Sequence, residues 1–576
     1  MGETGINVHL DGIAHLWSLE QNTPENSSSF TLERASELGC RSVLNLVQAL
    51  DALQSNVASL WLITQGAQDT IIHQSGVAQS PLWGLGKVII REYPRLQCRL
   101  VDVDPGDDEY TIPALCEEMW SHKTGDAEHF LAFHGRQRRV ARFSRAIQSN
   151  ENRQPLQLRP DGAYLITGGL GGVGLKVARW LVERGARYLT LVGRSSPSAS
   201  AEKMIEELEL SGCTVAALQA DVSHYEQIAG VFQRVAESMP PLRGVIHCAG
   251  VFEDRLLANQ EWPLFEKVFA PKVKGSWNLH VLSEKIPLDF FVLFSSAFSL
   301  FGETGLGNYA AGNAFLDALA RYRRGLGLPG RSVNWGPWEK VGMAEAVGER
   351  REAQWRMQGI ETLQPAQALE MLEYLMQSDA PQTCAIHLNL QTFTQHFPEG
   401  FQRTFFENII DGQSQQVQEK PGILQRLNAA PANERMGILQ GHVSSLVAGT
   451  LGYHSSEPLD VHRGFFQLGM DSLTSMELRN RLESSLNRSL PSTVLFKYPS
   501  IQALTGYLMQ EMSSSAPMAQ NKELQHPSDT PQAFERTATD TSLSGIPSGF
   551  EEIHVAQPEP SLIDELEGLE KLLKNE

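Results

Sequence analysis

A strand, a glycine-rich turn and a helix follow one another between Gly162 and Gly185, and this order restricts the fold more than any other feature. The segment reads GAYLITGGLGGVGLKVARWLVERG. Gly169, Gly171 and Gly174 permit a tight turn and bring the backbone close enough to a pyrophosphate to seat it on the helix N-terminus. The segment predicts a dinucleotide-binding α/β unit, and a purely structural turn is the alternative.

The residues after the next strands indicate which dinucleotide binds. Arg194 and Ser195 stand about twenty residues beyond the last glycine, where NAD-binding units carry a carboxylate for the ribose hydroxyl. A guanidinium pairs with a 2′-phosphate, so NADPH is predicted. Asp221 closes a later strand and is placed to accept a hydrogen bond from the adenine amino group, although an aspartate there also serves as a helix cap.

A second constraint is the segment 291–317, FVLFSSAFSLFGETGLGNYAAGNAFLD, in which an apolar strand leads to a helix. The strand ends in Ser295 and Ser296, and the helix carries Tyr309 and Asn313 on one face, since they are four residues apart. Open α/β sheets keep their active sites outside the carboxyl ends of the strands. We therefore expect Ser296 and Tyr309 to converge on a carbonyl group. The alternative is a serine that ends a strand and a half-buried core tyrosine.

Length, charge and cysteine usage limit the class of protein. The 576 residues exceed one core and suggest roughly three or four folded units. A formal charge of -19 argues against nucleic acid and anionic membranes as partners. The six cysteines lack metal-type spacing, which predicts reduced thiols and no metal site. No signal peptide and no membrane-spanning apolar run is found, so a cytoplasmic protein is expected.

The alternation of strands and helices and the local composition predict where the folded units begin and end. Residues 1–150 alternate strands and helices without a glycine loop, which predicts a scaffold, and we expect the chain to begin inside a longer natural polypeptide. The predicted boundaries of the units that follow are 151–397 for the cofactor-binding unit, 398–432 for a linker, 433–512 for a small helical bundle, 513–559 for a disordered segment and 560–576 for an amphipathic helix.

The motifs and their order resemble the C-terminal part of a modular type I polyketide synthase module, a ketoreductase followed by an acyl carrier protein. The motifs that carry the resemblance are TGGLGGVG, VGRSS, HCAGV, APKVKGSWNLH, FVLFSS, NYAAGNAFLD, SVNWGPW and LGMDSLTSMELRNRL. The resemblance implies an α/β fold with two Rossmann-like short-chain dehydrogenase subdomains, the first truncated and the second catalytic. The resemblance places a small helical carrier bundle and a mostly disordered tail after these two subdomains.

The resemblance also implies an active tetrad. Ordinary short-chain dehydrogenases place a lysine four residues after the catalytic tyrosine, where this chain has Asn313. Polyketide synthase ketoreductases place the lysine on the earlier helix, at the position of Lys272. The implied tetrad is Lys272, Ser296, Tyr309 and Asn313. We expect the nearby ammonium to lower the pKa of the tyrosine from its usual value of about 10.

Further cofactor contacts are predicted at the end of the strand LRGVIHCAGV. Ala249 and Gly250 are small residues that leave room for the nicotinamide ribose. The full set of implied NADPH-binding residues is Gly169, Gly171, Gly172, Gly174, Arg194, Ser195, Asp221, Val222, Ala249 and Gly250.

Ser472 in GMDSL matches the serine that carries 4′-phosphopantetheine in carrier proteins. The phosphodiester would lie at the N-terminus of the following helix, where backbone donors and the helix dipole favour an anion. The alternative is that Ser472 is only a helix cap, because serine is preferred at that position.

The function implied is NADPH-dependent reduction of a carrier-bound β-ketoacyl thioester. A scaffold with a vestigial reductase and a working carrier and tail is the alternative, and a free-standing alcohol dehydrogenase would leave Ser472 unexplained. Implied partners are the ketosynthase and acyltransferase domains of the same module, a phosphopantetheinyl transferase, the next synthase subunit and a second copy of the chain.

Two finer predictions concern stereochemistry and the tail. B-type ketoreductases carry an LDD motif where this chain has Phe252, Glu253 and Asp254, and A-type enzymes carry a tryptophan where it has Phe301. The retained Asp254 favours the B-type and a D-configured alcohol. In the tail, a heptad-like stripe predicts an amphipathic helix at 560–576. The members of the stripe are Leu562, Leu566, Leu569 and Leu573. The position of this helix beyond a carrier protein resembles that of the C-terminal docking segments that join synthase subunits, and a solubilising acidic tail is the alternative.

Overall fold

The architecture is taken from a computed structural model of the chain. It describes residues 10–20, 29–53, 57–68, 74–105, 108–120, 128–135, 137–146, 155–342, 349–395, 401–410, 423–451, 459–486, 488, 490–491 and 493–514. The predicted docking helix, with its leucine stripe, lies outside the described residues, and so does the predicted disordered segment after residue 514.

The first unit is a five-stranded sheet with strands in the order of the chain. The first four strands are parallel and the fifth is antiparallel to the fourth. The strands are β1 (Gly12–His15), β2 (Ser59–Gln65), β3 (Arg99–Val103), β4 (Phe130–His134) and β5 (Gln137–Val140). The helices are α1 (Ser29–Ser36), α2 (Ser42–Ala52), α3 (Gln74–Gln79), α4 (Pro81–Glu92) and α5 (Asp108–Trp120). Strand β3 is buried along its whole length, as expected for a parallel sheet covered on both faces.

The second unit contains a seven-stranded parallel sheet. Its strands are β6 (Ala163–Thr167), β7 (Tyr188–Gly193), β8 (Thr214–Gln219), β9 (Leu242–His247), β10 (Phe290–Ser296), β11 (Arg331–Trp335) and, after a short strand β12 (Ile360–Glu361), β13 (Gln382–Ala385). The spatial order is β13-β11-β10-β9-β6-β7-β8. This is a doubly wound order that reverses between β6 and β9, and ligands bind in the crevice outside such a reversal.

Helices cover both faces of the second sheet. They are α6 (Gly172–Glu183), α7 (Ala199–Leu210), α8 (Tyr225–Ser238), α9 (Trp262–Ser283), α10 (Phe298–Phe301), α11 (Gly307–Gly325), α12 (Glu349–Met357), α13 (Pro365–Met376) and α14 (Leu390–Gln395). The edge strand is β13, whereas β14 (His387–Leu388) pairs antiparallel with β12 in a separate ribbon.

The two units meet most closely where α4 packs on α11. Gly84 makes this contact possible, because a Cβ there would lie only 2.1 Å from the backbone oxygen of Ala310. Ala310 directly follows Tyr309. The unit without a glycine loop therefore supports the helix on which the predicted catalytic tyrosine lies.

The predicted linker is shorter in the structure. A helix α15 (Phe401–Ile410) lies within it, and Phe405 contacts Phe130 with ring centres 5.4 Å apart. Phe406 packs on Phe143 and Phe301 at 5.3 Å and 6.2 Å. A second helix, α16 (Ile423–Ala429), joins the core of the carrier. These segments are amphipathic, so burial of their apolar faces outweighs the polar composition around them.

The carrier is a helical bundle with its own apolar core. Its further helices are α17 (Ala432–Leu451), α18 (Ser472–Leu486), α19 (Val494–Lys497) and α20 (Ile501–Ser514). Leu439, Leu478 and Leu504 are fully buried at its centre. Among the described residues, no helix is both long and apolar enough to cross a bilayer, and no cluster of potential metal ligands is present.

Candidate active site

One pocket opens at the carboxyl ends of the central strands of the second sheet. Its lining residues come from the ends of β10 and β11, from the loops after β9 and β11, and from α6, α9, α10, α11 and α12. They are Val173, Cys248, Phe252, Lys272, Phe294, Ser295, Ser296, Phe298, Tyr309, Trp335, Gly336, Pro337, Trp338, Val341 and Trp355. Three members of the predicted tetrad, Lys272, Ser296 and Tyr309, therefore share one pocket.

Asn313 lies one helical turn after Tyr309 and outside the pocket lining. Its Nδ2 donates to the Tyr309 backbone oxygen at 2.8 Å. Burial raises the pKa of Tyr309 above its usual value, and interactions with the side chains of Ser296 and Asn313 offset part of this rise. The phenol is therefore a neutral proton donor at ordinary pH.

Lys272 is almost completely buried in α9. Its Nζ donates to the backbone oxygen of Phe294 at 2.8 Å, on the strand that ends in Ser296. Burial lowers its pKa to about 8, although the nearby Cys248 and Asp317 act in the opposite direction. We expected the ammonium to lower the pKa of Tyr309. The structure differs, because desolvation of the phenol outweighs the favourable interactions around it.

A buried polar network, which the sequence analysis missed, fixes α11 against the sheet. The Asp317 carboxylate accepts hydrogen bonds from Ser299 Oγ at 2.8 Å, Ser332 Oγ at 2.5 Å and Asn334 Nδ2 at 2.8 Å. Asn334 Nδ2 also donates to Ser295 Oγ at 3.0 Å, and this hydroxyl donates to the Asn313 backbone oxygen at 3.2 Å. The network ties both strands of the pocket to the helix that carries Tyr309.

The first unit also contributes a carboxylate that the sequence analysis missed. Glu92, at the end of α4, accepts hydrogen bonds from the backbone N–H groups of Leu257 and Gly305, both at 2.8 Å. Burial raises the pKa of Glu92 to about 7, and these two donors act in the opposite direction. Gln48 Nε2 adds a 2.8 Å bond to the Leu257 oxygen. The loops on both sides of the pocket are thus anchored to the scaffold unit.

The glycine turn has the shape that a pyrophosphate requires. Gly168, which was not among the predicted cofactor residues, adopts a φ of 71° directly after β6. A Cβ on Gly174 would lie 2.2 Å from the Gly168 oxygen, so only glycine fits there. Helix α6 begins at Gly172, and no side chain caps it at Gly171. Its first N–H groups are therefore available to an anion.

The remaining predicted NADPH contacts lie along the same edge. Arg194 and Ser195 are exposed directly after β7. The Asp221 carboxylate accepts from Ser223 N and Oγ at 2.9 Å and 2.7 Å, so it also supports its own turn. Burial alone would raise the pKa of Asp221. The hydrogen bonds from Ser223 and the charges of His224 and Arg194 outweigh burial, so the pKa of Asp221 is lowered overall.

Small residues also line the reversal point of the sheet. A Cβ on Gly168 would lie 2.7 Å from the Ala249 nitrogen, so β6 and the loop after β9 approach closely, and Gly250 follows in that loop. Val222 is buried, and its backbone oxygen accepts from Asn278 Nδ2 at 3.0 Å. The close approach of Gly168 and Ala249 lies at the reversal of the strand order, between β6 and β9.

The four predicted stereocontrol residues occupy different environments. Phe252 lines the pocket and packs edge-on against Tyr309 with ring centres 5.7 Å apart. Glu253 pairs with Lys267 at 2.5 Å, and Asp254 is exposed. Phe301 is buried among aromatic side chains and does not line the pocket. Of these four residues, Phe252 is the one that lines the pocket.

The carrier helix that begins at Ser472 is capped by the preceding residue. Asp471 Oδ1 accepts from Thr474 N at 2.9 Å, and Thr474 Oγ1 accepts from Asp471 N at 2.8 Å. This reciprocal pair is the capping-box arrangement, with Asp471 as the cap. The alternative role of Ser472 as helix cap is therefore not required.

Two protein families match the chain. The family described as "KR domain" matches residues 162–340, and the family described as "Phosphopantetheine attachment site" matches residues 442–508. The first match contains the glycine turn and the pocket residues up to Trp338, and the second contains Ser472. The matches support NADPH and 4′-phosphopantetheine as the cofactors of the two domain families.

Two mycobacterial polyketide synthases are similar to this chain. A phenolphthiocerol/phthiocerol polyketide synthase of Mycobacterium tuberculosis is 36% identical over 362 residues, covering 62% of this chain and 16% of the relative. The "putative inactive phenolphthiocerol synthesis polyketide synthase type I Pks1" of the same organism is 35% identical over 62% of this chain and 23% of the relative. The chain thus spans less than a quarter of either relative.

The fold of this chain is also similar to that of a solved ketoreductase structure. "Structure of A-type Ketoreductases from Modular Polyketide Synthase" is 30% identical with a TM-score of 0.60, covering 69% of this chain and 82% of that chain. The protein belongs to the modular type I polyketide synthases, of which it comprises a ketoreductase and acyl carrier protein region.

We predict that Ser472→Ala prevents attachment of 4′-phosphopantetheine without weakening α18. Asp471→Ala should instead destabilise the first turn of α18 by about 0.5–2 kcal/mol, because it removes the cap. Mass spectrometry after incubation with a phosphopantetheinyl transferase measures loading, and amide hydrogen exchange measures the helix. Loading of Ser472→Ala, or faster exchange in Ser472→Ala than in Asp471→Ala, would contradict this assignment.

Proposed function

We propose that the chain reduces a β-ketoacyl thioester, carried on its own Ser472, to the β-hydroxyacyl thioester during polyketide assembly. The convergence of Lys272, Ser296 and Tyr309 in one pocket beside the glycine turn is the observation that supports it. This combination supplies a hydroxyl to hold a ketone oxygen, a neutral phenol to protonate it and a cation nearby.

Each residue has a separate task in the proposed reaction. Ser296 hydrogen-bonds and orients the ketone oxygen, and Tyr309 donates its proton to that oxygen as the alcohol forms. Lys272, which lines the same pocket, stabilises the negative charge left on the phenol. NADPH, when bound, supplies the hydride to the carbonyl carbon. Asn313 fixes the first turn of α11 through its bond to the Tyr309 oxygen.

The glycine turn and α6 would hold the pyrophosphate of NADPH, and Arg194 the 2′-phosphate. Arg194 is exposed at the end of β7, where its guanidinium is accessible to a ligand. A charge-assisted hydrogen bond of this kind is worth about 1.5–3 kcal/mol. Equal catalytic efficiency with NADPH and NADH would refute this role.

We further propose B-type stereochemistry, which gives the D-configured alcohol. The support is Asp254 in the loop after β9 and the absence of tryptophan at the position of Phe301. Phe252 and Glu253 depart from the B-type motif, and Phe252 packs on Tyr309 where it can contact the acyl chain. Chiral chromatography that found mainly the L-alcohol would overturn this assignment.

The proposed partners follow from the place of the region within a synthase. A phosphopantetheinyl transferase would modify Ser472, and ketosynthase and acyltransferase domains would supply the acyl chain in the cytoplasm. Residues 560–576 would dock on the next synthase subunit or on a second copy of the chain. If deletion of 560–576 changed neither acyl transfer nor oligomeric state, the docking role would be dropped.

A reductase that has lost its activity is the competing function, and one similar protein has "putative inactive" in its name. Four catalytic residue types and an intact glycine turn favour an active enzyme in this chain. An active reductase would turn over its substrate and depend on Tyr309 to do so, whereas an inactive one would show no turnover with or without Tyr309.

We predict that Tyr309→Phe lowers turnover by about 10²- to 10⁴-fold, the usual range for loss of a general acid. The phenylalanine should fill the same buried space, so NADPH binding should stay within a few-fold of the parent. The assay is reduction of a diketide thioester, with fluorescence titration of NADPH as the control for folding. Near-normal reduction by this variant would remove Tyr309 from the mechanism.

We predict that turnover falls as the pH rises through about 8, the pKa to which burial lowers Lys272. The ammonium is present below that pH and lost above it, and Tyr309 stays protonated because burial raises its own pKa. The pH dependence of kcat measures this. In Lys272→Met, the residual activity should lack this step, and a parent profile that stays flat from about pH 7 to about pH 10 would contradict the role of Lys272.

A further inference from the structure

Carrier helix α18 has two buried faces, but only one belongs to the core of the carrier. Leu478, Leu482 and Leu486 recur every four residues, are nearly inaccessible to solvent and pack inside the carrier bundle. Met476, Asn480 and Glu483 follow the same helical spacing on a different face. That second face is directed at the reductase.

Met476 is the apolar member of this second face. It is only 8% exposed, and it packs in the hydrophobic cluster of the reductase, whereas the leucines of α18 pack in that of the carrier. A methionine that is buried against another unit marks a contact surface.

The two polar members of the face bind the end of helix α4. Asn480 Nδ2 donates to the backbone oxygens of Arg91 and Glu92 at 3.2 Å and 3.4 Å. Carbonyl groups in the last turn of a helix lack partners within the helix, so an amide donor is well matched to them. Glu483 Oε2 lies 3.4 Å from Nε of Arg95, which follows the last residue of α4 by three positions.

The segment 91–95 is also connected to the active site. Arg91 pairs with Glu303 at 3.3 Å, and Glu303 also pairs with Arg351 of α12 at 3.6 Å. The Glu92 side chain bonds to Gly305, two residues before α11. The carrier therefore contacts the reductase beside the loop and the helix that enclose the pocket.

We propose that residues 91–95 form the surface on which the reductase receives the carrier domain of its own chain, with Met476, Asn480 and Glu483 as the contact face of the carrier. The inference rests on the proposed function. Because α18 begins at Ser472, one turn before Met476, the attachment residue lies at one end of the contact face. Few residues take part, as suits a domain that must leave again to meet other partners.

The test compares reduction of two substrates by the intact chain. One is a β-ketoacyl group carried on the phosphopantetheine of Ser472, and the other is a free β-ketoacyl N-acetylcysteamine thioester, which needs no docking. Met476→Glu should slow carrier-bound reduction by about tenfold or more, because it places a charge in an apolar contact. Arg95→Glu should slow carrier-bound reduction by roughly two- to fivefold, because the new carboxylate repels that of Glu483. Reduction of the free thioester should be unchanged in both.

Two matched variants serve as controls. Met436→Glu is the control for Met476→Glu, and it changes a methionine on α17 that is 44% exposed. Arg179→Glu is the control for Arg95→Glu. The side chains of Arg179 and Arg95 are both 48% exposed, and Arg179 forms a surface ion pair with Glu207. Both should reduce both substrates at the parental rate. Normal loading of Ser472 by a phosphopantetheinyl transferase shows that each carrier is folded.

Parental rates with the carrier-bound substrate in both Met476→Glu and Arg95→Glu would overturn the docking surface. Arg95→Glu keeps the test decisive if Met476→Glu does not fold, because Arg95 lies on the reductase. Failure of the parent chain to reduce even the free thioester would instead contradict the proposed function, so the two outcomes are distinguishable.

Discussion

The backbone contact between α4 and α11 is the constraint on which the active site depends. Gly84 has no side chain, so α4 can approach the backbone of Ala310, next to Tyr309, the proposed proton donor. Lys87 and Glu92, on the same helix, then bind the backbone at Ser299 and Gly305 at 2.8 Å each. A subdomain without a glycine loop thus fixes the position of Tyr309 and of the loops around the pocket.

Local patterns allowed much of the fold and of the site to be predicted. The glycine turn is recognisable because its strand, turn and helix are contiguous, and Tyr309 and Asn313 lie on one helix. The position of Ser296 followed from the rule that active sites lie at the carboxyl ends of parallel strands. Gly168 was missed because the glycine motif begins at Gly169, although the left-handed turn falls one residue earlier.

Features that depend on distant residues were not predictable in this way. Glu92 and Gly305 are far apart in the sequence, and no pattern in either segment indicates that they pair. The polar network of Asp317 likewise depends on how α11 meets two strands. Phe405 and Phe406 stand near a polar segment, and only the aromatic core that they enter shows that they belong to the reductase. The raised pKa of Tyr309 depends on burial, which composition does not reveal.

Mass spectrometry of the intact chain tests the central claim most directly. The chain is phosphopantetheinylated, loaded with a β-ketoacyl group at Ser472, and incubated with NADPH or with NADH. We predict that the carrier-bound acyl group gains the mass of two hydrogen atoms with NADPH and does so much more slowly with NADH. An unchanged acyl mass with either cofactor, in a chain that binds NADPH normally, would contradict the claim that this region is an active ketoreductase acting on its own carrier.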